Sequence, residues 1–480
     1  MTKKTTLVWL RQDLRISDNP ALFAAAEAGK VLPIFILDDE SAQDFKMGGA
    51  SKFWLHSSLQ NLNESFGGKL NFYAGDAQKI LLEIISKNQV DAVYWNRCYE
   101  PFRIKQDSAI KSILKEKNIE AKSFNGSLLW EPWQVLKSDG TPYKVFTPFY
   151  RNGCLKKEAP RMPLPVPPKL DLLRDENSLT LDDLNLMPQK NWYLQMDKIW
   201  KIGEKAAQIR LYEFLDDGLK NYKEGRNHPN QNNVSRLSPY LHFGEISPNQ
   251  VFYATQARLN SEDLAKDIDH FLSELGWREF SNHLLYHFPT LPRKNFQQKF
   301  DRFPWSENSQ LLKAWQKGQT GYPIVDAGMR ELWQTGYMHN RVRMIVGSFL
   351  VKNLLLHWHH GEDWFWDCLV DADLANNSAS WQWIAGSGAD AAPYFRIFNP
   401  ILQGEKFDTN GEYTKRFVPE LAALPNKFLF KPWEAPPLIL KAAGIELGKN
   451  YPKPIVEMTA SRDAALLAYK VVSGVGFENT

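Results

Sequence analysis

The sequence predicts a doubly wound α/β domain with a parallel sheet, followed by an all-α domain. Three observations support this prediction. Short apolar runs alternate with amphipathic segments over residues 1–130, as in the β-α units that build a parallel sheet. A loop-rich connection follows over residues 131–203. From residue 204 to residue 480 the apolar residues recur mainly at helical spacing.

Four apolar runs of the α/β domain are predicted to be strands, because they are short and rich in β-branched and aromatic residues. The predicted strands are Thr6–Leu10, Val31–Leu37, Leu70–Tyr73 and Ala92–Trp95, and the predicted helices include Lys52–Asn63 and Ala77–Ser86. The first strand leads into Leu10-Arg11-Gln12-Asp13 instead of a glycine-rich loop. A nicotinamide dinucleotide is therefore not expected there.

The connection between the domains contains a proline cluster that cannot be helical, because proline fixes φ and lacks the N–H donor. The cluster consists of Pro160, Pro163, Pro165, Pro167 and Pro168. We expect this piece of chain to be extended. After it, turn signals such as Gly225 and Gly318 interrupt the helical half.

Composition bounds the class of protein. The 480 residues are 43% hydrophobic and 24% charged, which suits a soluble chain of two or three domains. A net charge of +3 excludes a uniformly basic surface, so a nucleic-acid contact would need a local patch. The three cysteines, Cys98, Cys154 and Cys368, lie far apart, which favours a reducing compartment. With no secretory leader and no apolar span of about 20 residues, the expected location is the cytoplasm.

The segment Asp371–Trp383 combines acids, amides and two of the seventeen tryptophans. A helix that begins after Asp373 would place Asn377 and Trp381 on one face and Trp383 on another. One aromatic ring would then face a buried cofactor and the other a substrate. The alternative is that both tryptophans are core anchors, as most large aromatic residues are.

Two further segments, Glu274–Phe280 and Met338–Met344, repeat this mixture of polar and aromatic residues. Together with Leu7–Arg15 and Phe395–Pro400, these motifs make the chain resemble the photolyase/cryptochrome family of flavoproteins, and within it the bacterial class I photolyases. The resemblance implies an antenna domain over residues 1–130. It also implies an all-α domain over residues 204–480 that binds FAD and DNA.

The resemblance assigns two sets of residues to FAD. The set for the phosphates and ribityl chain is Tyr222, Val234, Ser235, Arg236, Leu237 and Ser238, where many relatives have threonine in place of Val234. The set for the flavin ring and ribose is Asp371, Ala372 and Asp373, with Arg343 paired to one acid, and Asn377 at the N5 edge. From the residues alone, Ser235 and Ser238 could equally be helix caps, and the acids a structural ion pair.

By the same resemblance, Trp305, Trp358 and Trp381 match the electron-hopping triad that carries photoreduction of the flavin. Asn377 matches the choice of the repair enzymes, whereas plant cryptochromes have aspartate there. Without the family, all three tryptophans would be read as core residues.

On the substrate side, Glu274, Trp277 and Arg278 share one helical face at i, i+3 and i+4 spacing. The resemblance implies that Glu274 and Asn340 stabilise the electron-rich lesion through hydrogen bonds. It further implies that Trp277 and Trp383 sandwich a flipped-out lesion. The remaining candidates for contacts with lesion-bearing DNA are Arg226, Arg278, Arg341 and Met344. The plain alternative for a single arginine is a solvated surface residue.

The residues at Asn340 and Met344 discriminate between lesions. Photolyases of (6-4) photoproducts carry histidine at both positions, and neither an amide nor a thioether can supply that proton. The expected function is therefore light-driven repair of cyclobutane pyrimidine dimers, in which excited FADH⁻ donates an electron to the dimer. The alternatives are (6-4) repair and a cryptochrome-like photoreceptor without repair. Asn377 and an end at Thr480, which leaves little room for a signalling tail, count against the receptor.

The expected antenna chromophore is methenyltetrahydrofolate, or alternatively 8-hydroxy-5-deazaflavin, near Asn96–Pro101. We expect a monomer, no membrane contact and no structural metal. Two motifs that suggest a dinucleotide and a metal are set aside. Gly386–Ala391 follows a tryptophan-rich helix rather than a strand, so it should be a helix-ending loop, and His357–His360 lacks partners that would complete a metal site.

Overall fold

A parallel β-sheet forms the amino-terminal part of the chain. In the computed structural model, residues 3–259, 262–390 and 395–473 are described. The strands are β1 (Lys4–Leu10), β2 (Gly29–Leu37), β3 (Asn71–Ala74), β4 (Ala92–Asn96), β5 (Glu120–Phe124) and β6 (Asp171–Leu172). Their order is β3-β2-β1-β4-β5, β6 pairs with β2, and every pair is parallel. The first strand lies in the middle of the order, which confirms the predicted doubly wound sheet.

The four predicted strands appear within two residues of their expected bounds. The central strands are apolar because helices cover both faces of a parallel sheet. The sequence did not predict β5, whose residues are only half-buried or exposed, or β6, which has two residues. Strands this polar or this short leave no hydrophobic signal.

The α-helices follow in chain order. They are α1 (Pro20–Ala28), α2 (Gly49–Ser65), α3 (Ala77–Asn88), α4 (Pro101–Glu116), α5 (Leu194–Ile199), α6 (Glu204–Glu213), α7 (Tyr222–Gly225), α8 (Ser238–Phe243), α9 (Pro248–Gln256), α10 (Ala265–His287), α11 (Ser309–Gln316), α12 (Pro323–Thr335), α13 (Asn340–Ser348), α14 (Trp358–Cys368), α15 (Leu374–Ala385), α16 (Pro400–Phe407), α17 (Glu412–Phe417), α18 (Asn426–Leu429), α19 (Pro437–Ala442) and α20 (Met458–Ser473). Three segments form π-helical turns, namely Pro148–Gly153, Phe214–Gly218 and Phe349–Asn353. The proline cluster is not helical, as predicted.

The chain divides into two compact units. Unit 1 contains residues 1–220, 235–289 and 370–375, and unit 2 contains residues 221–234, 290–369 and 376–480. In unit 1 the core lies against the sheet and includes Leu7, Trp9, Ile34, Leu81, Val93 and Trp95. In unit 2 one core cluster joins Phe300 and Phe303 to Ala468 and Val472 of α20.

Among the residues that the structure describes, no helix is both long enough and apolar enough to cross a membrane.

Candidate functional site

The crevice beside the central strands of unit 1 is filled by protein side chains. In a doubly wound sheet, ligands bind outside the carboxyl ends of the strands where the order reverses, which here is between β1 and β4. Arg11, directly after β1, occupies this point. Its guanidinium binds the Asp107 carboxylate at 2.7 and 3.1 Å and the Asn96 carbonyl at 2.8 Å. A buried ion pair therefore stands where a dinucleotide phosphate would lie.

A small polar cavity adjoins these loops. Its walls include Gln12, Glu100, His242, Arg278 and Asp373. The cavity is polar and has room for one or two water molecules. Glu100 Oε2 and His242 Nδ1 are buried here without a hydrogen-bond partner in the described part of the chain. A water in the cavity would provide hydrogen-bond partners for both atoms.

Two predicted cofactor segments meet within unit 1. The Ser238 hydroxyl, at the start of α8, donates a hydrogen bond of 2.6 Å to Asp371 Oδ2. One turn further along α8, His242 Nδ1 lies 3.8 Å from Asp373 Oδ2. Ser238 is not a helix cap, because the N-cap position of α8 is Leu237 and has no capping side chain. The serine motif and the acidic motif thus form one polar cluster.

The remaining residues of the serine motif lie just before α8. Arg236 has a left-handed backbone with φ of +53°, and the Ser235 carbonyl accepts a hydrogen bond of 2.8 Å from Arg210. Val234, Ser235 and Arg236 are half-buried, whereas Leu237 is buried. In unit 2, Tyr222 is buried and the Arg226 guanidinium lies 5.4 Å from the centre of its ring. Ala372 is also buried.

The helix α10 presents the predicted substrate face. Glu274, Trp277 and Arg278 are each half-buried, whereas Gly276 and Glu279 on the other side of the helix are buried. The Glu279 carboxylate accepts hydrogen bonds from the backbone N–H groups of Leu129 and Trp130 and binds Arg278 at 3.2 Å. Burial raises the pKa of Glu279 to about 7. The predicted helical face is therefore present, and the charge of Arg278 on this face is bound by the buried Glu279 carboxylate.

In unit 2, Asn377 is oriented by a contact that the sequence did not indicate. Asn377 is buried on α15 and its Nδ2 donates a hydrogen bond of 3.0 Å to the backbone carbonyl of Glu362 on α14. The next residue, Ser378, donates a hydrogen bond of 2.6 Å to Glu362 Oε1. This bond engages one of the two N–H groups of the amide and so orients the Asn377 side chain.

Two of the three predicted electron-transfer tryptophans, Trp305 and Trp358, are linked by ring contacts through His357, and Trp381 packs against the helix that begins at Trp358. The Trp305 ring centre is 5.0 Å from that of His357, which is 5.6 Å from that of Trp358. One turn after Trp358, Gly361 lies against Trp381, since a Cβ there would be 2.0 Å from the Trp381 ring. Trp305 is half-buried, and Trp358 and Trp381 are buried. Trp305 is therefore the partly exposed member of the series, and the other two are buried.

Positive charges cluster around Arg341 at the start of α13. Burial lowers the pKa of Arg341, and the charges of Arg226 and Arg396 lower it further. The Arg341 guanidinium lies 4.4 Å from the centre of the Phe407 ring and binds the Asn227 side chain. An anion such as a phosphate would relieve the repulsion among these arginines.

The other predicted residues of unit 2 lie on α13 and α15. Asn340, exposed, and Met344, half-buried, are four residues apart on α13. Arg343 Nε donates a hydrogen bond of 2.7 Å to the Met338 carbonyl. Trp383 is half-buried two residues after the buried Trp381, so the two indoles point to different environments as predicted.

The motifs that were set aside have structural roles. His357 is the N-cap residue of α14, and its ring accepts a hydrogen bond from the His359 N–H. The described residues contain no cluster of three or more side chains suited to a metal ion. Gly386 follows the last residue of α15 with φ of +92°, which is a helix-ending turn. Ala391, the last residue of that motif, lies outside the described residues.

The comparisons with known proteins agree along the whole chain. Residues 6–168 match the family model for DNA photolyase, and residues 271–471 match the model for the FAD binding domain of DNA photolyase. The deoxyribodipyrimidine photo-lyase of Agrobacterium fabrum is 49% identical over 98% of this chain and 99% of its own. Cryptochrome-2 of Arabidopsis thaliana is 39% identical over 96% of this chain and 78% of its own. The crystal structure of a bacterial class III photolyase from Agrobacterium tumefaciens matches with a TM-score of 0.94, at 48% identity over 99% of each chain.

The chain belongs to the DNA photolyase/cryptochrome family. Its full-length match at 49% identity groups it with the photolyase enzymes. The helical part that begins at α10 is an FAD-binding domain of the photolyase type. The expected class I subclass is not supported, because the solved structure with 48% identity is titled class III.

Within this photolyase fold, sequence reading missed Glu362 and Phe146. Glu362 lies outside the motifs considered in the sequence, and it holds Asn377 and Ser378. Phe146 stacks on Trp277, from which it is separated by 131 positions, in the loop-rich connection. No periodicity or motif links such distant residues, so only the folded chain reveals the pair.

Proposed function

We propose that this protein repairs cyclobutane pyrimidine dimers in DNA with light, using reduced FAD. Bound FADH⁻, once excited, would supply an electron to the dimer. Two carbon–carbon bonds of the cyclobutane ring would then break with no net oxidation, so the net reaction would be that of a lyase.

The observation that carries the lesion assignment is the pair Asn340 and Met344. They lie four residues apart on α13, are accessible to solvent, and provide an amide and a thioether. Neither group is an acid near neutral pH, so this surface has no proton to give to a (6-4) rearrangement. Asn340 would instead donate a hydrogen bond to the electron-rich dimer, and the Glu274 carboxylate would accept one from the N3–H edge of a pyrimidine.

Two sets of residues are proposed to hold FAD. In unit 1, the Ser238–Asp371 pair and the loop before α8 supply hydroxyl, carboxylate and backbone groups. In unit 2, Asn377 has its nitrogen fixed by the Glu362 carbonyl, so its oxygen would accept a hydrogen bond from the flavin. This acceptor favours the reduced forms of the cofactor, which carry a proton at that edge.

Contacts with DNA are assigned to the arginine cluster and the α10 face. Arg226 and Arg341 would bind phosphates of the lesion strand, since their mutual repulsion makes an anionic partner favourable. Trp277 and Trp383 would form the aromatic walls for an extruded dimer, because stacking on an indole compensates for the base stacking that is broken when the dimer leaves the duplex.

For the subclass, we propose class III, as in the solved relative from Agrobacterium tumefaciens. For the antenna, methenyltetrahydrofolate remains the proposal, with 8-hydroxy-5-deazaflavin as the alternative.

The test is blue-light repair of an oligonucleotide with one cis-syn thymine dimer by the chemically reduced, FAD-loaded protein. A dark reaction and a matched oligonucleotide with a (6-4) photoproduct serve as controls. Light-dependent restoration of the thymine dimer alone is the expected result. Restoration of the (6-4) lesion would overturn the argument from Asn340 and Met344.

The competing function is a photoreceptor without repair, as the identity with cryptochrome-2 allows. It predicts that the FAD-loaded protein photoreduces normally and leaves both lesions intact. That outcome would replace the proposed function.

A further inference from the structure

The ring of another residue, Phe146, stacks on one face of the Trp277 indole. Phe146 lies parallel to it, with ring centres 3.8 Å apart and an angle of 11° between the planes. At this separation the two rings overlap almost completely, whereas aromatic pairs usually prefer an offset or an edge-to-face contact. Phe280, three residues further along α10, presents its edge to both rings. One face of the indole is therefore covered.

The π-helical turn Pro148–Gly153 holds Phe146 in place. Tyr150, four residues after Phe146, is nearly parallel to it, at 5.7 Å and 8°. Tyr150 can pack against α10 only because Gly276 has no side chain, since a Cβ there would be 2.5 Å from the tyrosine ring. Tyr150 is buried, and the rings of Tyr150, Phe146 and Trp277 form a stack that ends at the half-buried indole.

An ion pair fixes the same turn to α10. Arg151 binds both carboxylate oxygens of Asp269 at 2.6 and 2.7 Å, two helical turns before Trp277. The Arg151 guanidinium also lies 5.3 Å from the centre of the Tyr150 ring. The turn and the helix thus hold each other at two points, so the stack has a defined orientation.

We propose that Phe146 is a positioning residue that presents Trp277 to the lesion with only one face accessible. This inference rests on the proposed function, in which Trp277 is a wall of the lesion site. The dimer would stack on the indole face opposite Phe146, and Phe146 itself would not touch DNA.

The physical reason is preorganisation. A half-buried indole without a ring behind it would sample several orientations, and binding would have to restrict it to one. The stack imposes that restriction before DNA arrives. Removal of Phe146 should therefore weaken affinity for the dimer, while the bound complex still reacts at its usual rate.

The experiment measures binding in the dark and repair in the light for Phe146→Leu and Phe146→Tyr. Binding is measured by fluorescence anisotropy with an oligonucleotide that carries one cis-syn thymine dimer, using the full FAD-loaded protein. We expect Phe146→Leu to raise the Kd about three- to tenfold with kcat unchanged. Phe146→Tyr keeps the flat ring and should stay within about twofold of the wild type.

A double-mutant cycle shows whether Phe146 acts through Trp277. In a Trp277→Ala background, Phe146→Leu should cause no further loss of affinity. The matched control is Phe149→Leu, in the same turn, whose ring packs on Phe280 and His283. It makes a similar reduction in ring packing and should leave the dimer Kd near that of the wild type.

Three results would overturn the inference. They are an unchanged Kd in Phe146→Leu, an equal loss in the Trp277→Ala background, and an equal loss in Phe149→Leu. If Phe146→Leu does not retain FAD, Phe146→Met takes its place, and loss of FAD there as well would assign Phe146 to the core. A wild-type protein without preference for dimer-containing DNA would instead remove the proposed function itself.

Discussion

Glu362 is a buried acid that is uncharged at neutral pH. Its side chain is 3% exposed, and burial raises its pKa to about 8 despite the hydrogen bond from Ser378 and the charge of Arg293. The folded protein thus holds this proton more tightly than the unfolded chain, in which the group titrates near 4.5. This difference in pKa contributes to the free energy of unfolding. The contribution is complete below pH 4.5 and is lost as the pH rises through about 8.

Glu362→Gln should remove this dependence, because the amide stays neutral at every pH. Between about pH 5 and about pH 9, the free energy of unfolding should fall less in the variant than in the wild type, by on the order of 4 kcal/mol. Denaturant titrations at both pH values measure the difference. Asp363→Asn is the control, because Asp363 also binds Arg293 but is largely exposed. Parallel pH profiles for wild type and Glu362→Gln would refute the prediction.

For single residues, the sequence predicted the helix face on which a side chain lies better than the residues that it contacts. The helical repeat separated the buried Trp381 from the half-buried Trp383 and placed Glu274, Trp277 and Arg278 on one face. It did not find Glu362 behind Asn377, 15 positions away, because no local pattern encodes a contact between two helices.

The contact of α14 with α15 depends on one glycine. Gly361 lies inside α14, where glycine costs about 1 kcal/mol relative to alanine, and a Cβ there would be 2.0 Å from the Trp381 ring. Gly347 of α13 faces the same region, and its Cβ would meet Ile384 at 3.4 Å and Trp381 at 3.6 Å, which are ordinary contacts. An alanine at either position would raise helix propensity, but only an alanine at Gly361 would clash with Trp381. Comparison of the two variants therefore distinguishes the effect of packing from that of helix propensity.

Gly361→Ala should displace Trp381 and lower the free energy of unfolding by about 1–3 kcal/mol. It should also slow photoreduction of oxidised FAD, as Trp381→Phe should, while the chemically reduced enzyme still repairs. Gly347→Ala should leave both properties intact. Thermal unfolding and the rate of flavin bleaching under blue light measure the two effects. Equal behaviour of the two alanine variants would contradict the account.

The elements themselves were predicted where their hydrophobic pattern is strong. The sequence predicted that α15 begins after Asp373, and the structure has Leu374–Ala385. By contrast, β5 has no fully buried residue and the π-helical turn Pro148–Gly153 lies in a stretch that was read as loop. Both owe their conformation to neighbours distant in sequence, so local propensity could not reveal them.

Across the whole molecule, a net charge of +3 leaves DNA affinity to local clusters of arginine. Each phosphate contact releases counterions and adds about one to the slope of log Kd against log salt concentration. Arg341→Gln should therefore weaken binding to all sequences and reduce this slope by about 1. Arg462→Gln, at an exposed position on α20, should leave the slope unchanged. Equal slopes for the wild type and Arg341→Gln would exclude Arg341 from the phosphate contacts.

The fold class could be predicted as a whole because periodicity changes from strand to helix along the chain. The division of the chain into compact units is harder to predict from the sequence. Composition suggested limits near residues 130 and 203, whereas compactness groups residues 235–289, including all of α10, with the amino-terminal sheet. Such grouping arises from tertiary contacts, for example that of Glu279 with the Leu129 and Trp130 backbone.

The chain passes from one compact unit to the other five times, at residues 220, 234, 289, 369 and 375. Neither unit is therefore a continuous stretch that a gene fragment could encode. A fragment that ends at residue 203 would lack the Gly244 carbonyl that binds Arg15 and the Glu279 carboxylate that binds two backbone amides. It would expose these buried donors to solvent. Such a fragment should therefore be less stable than the same residues within the complete polypeptide.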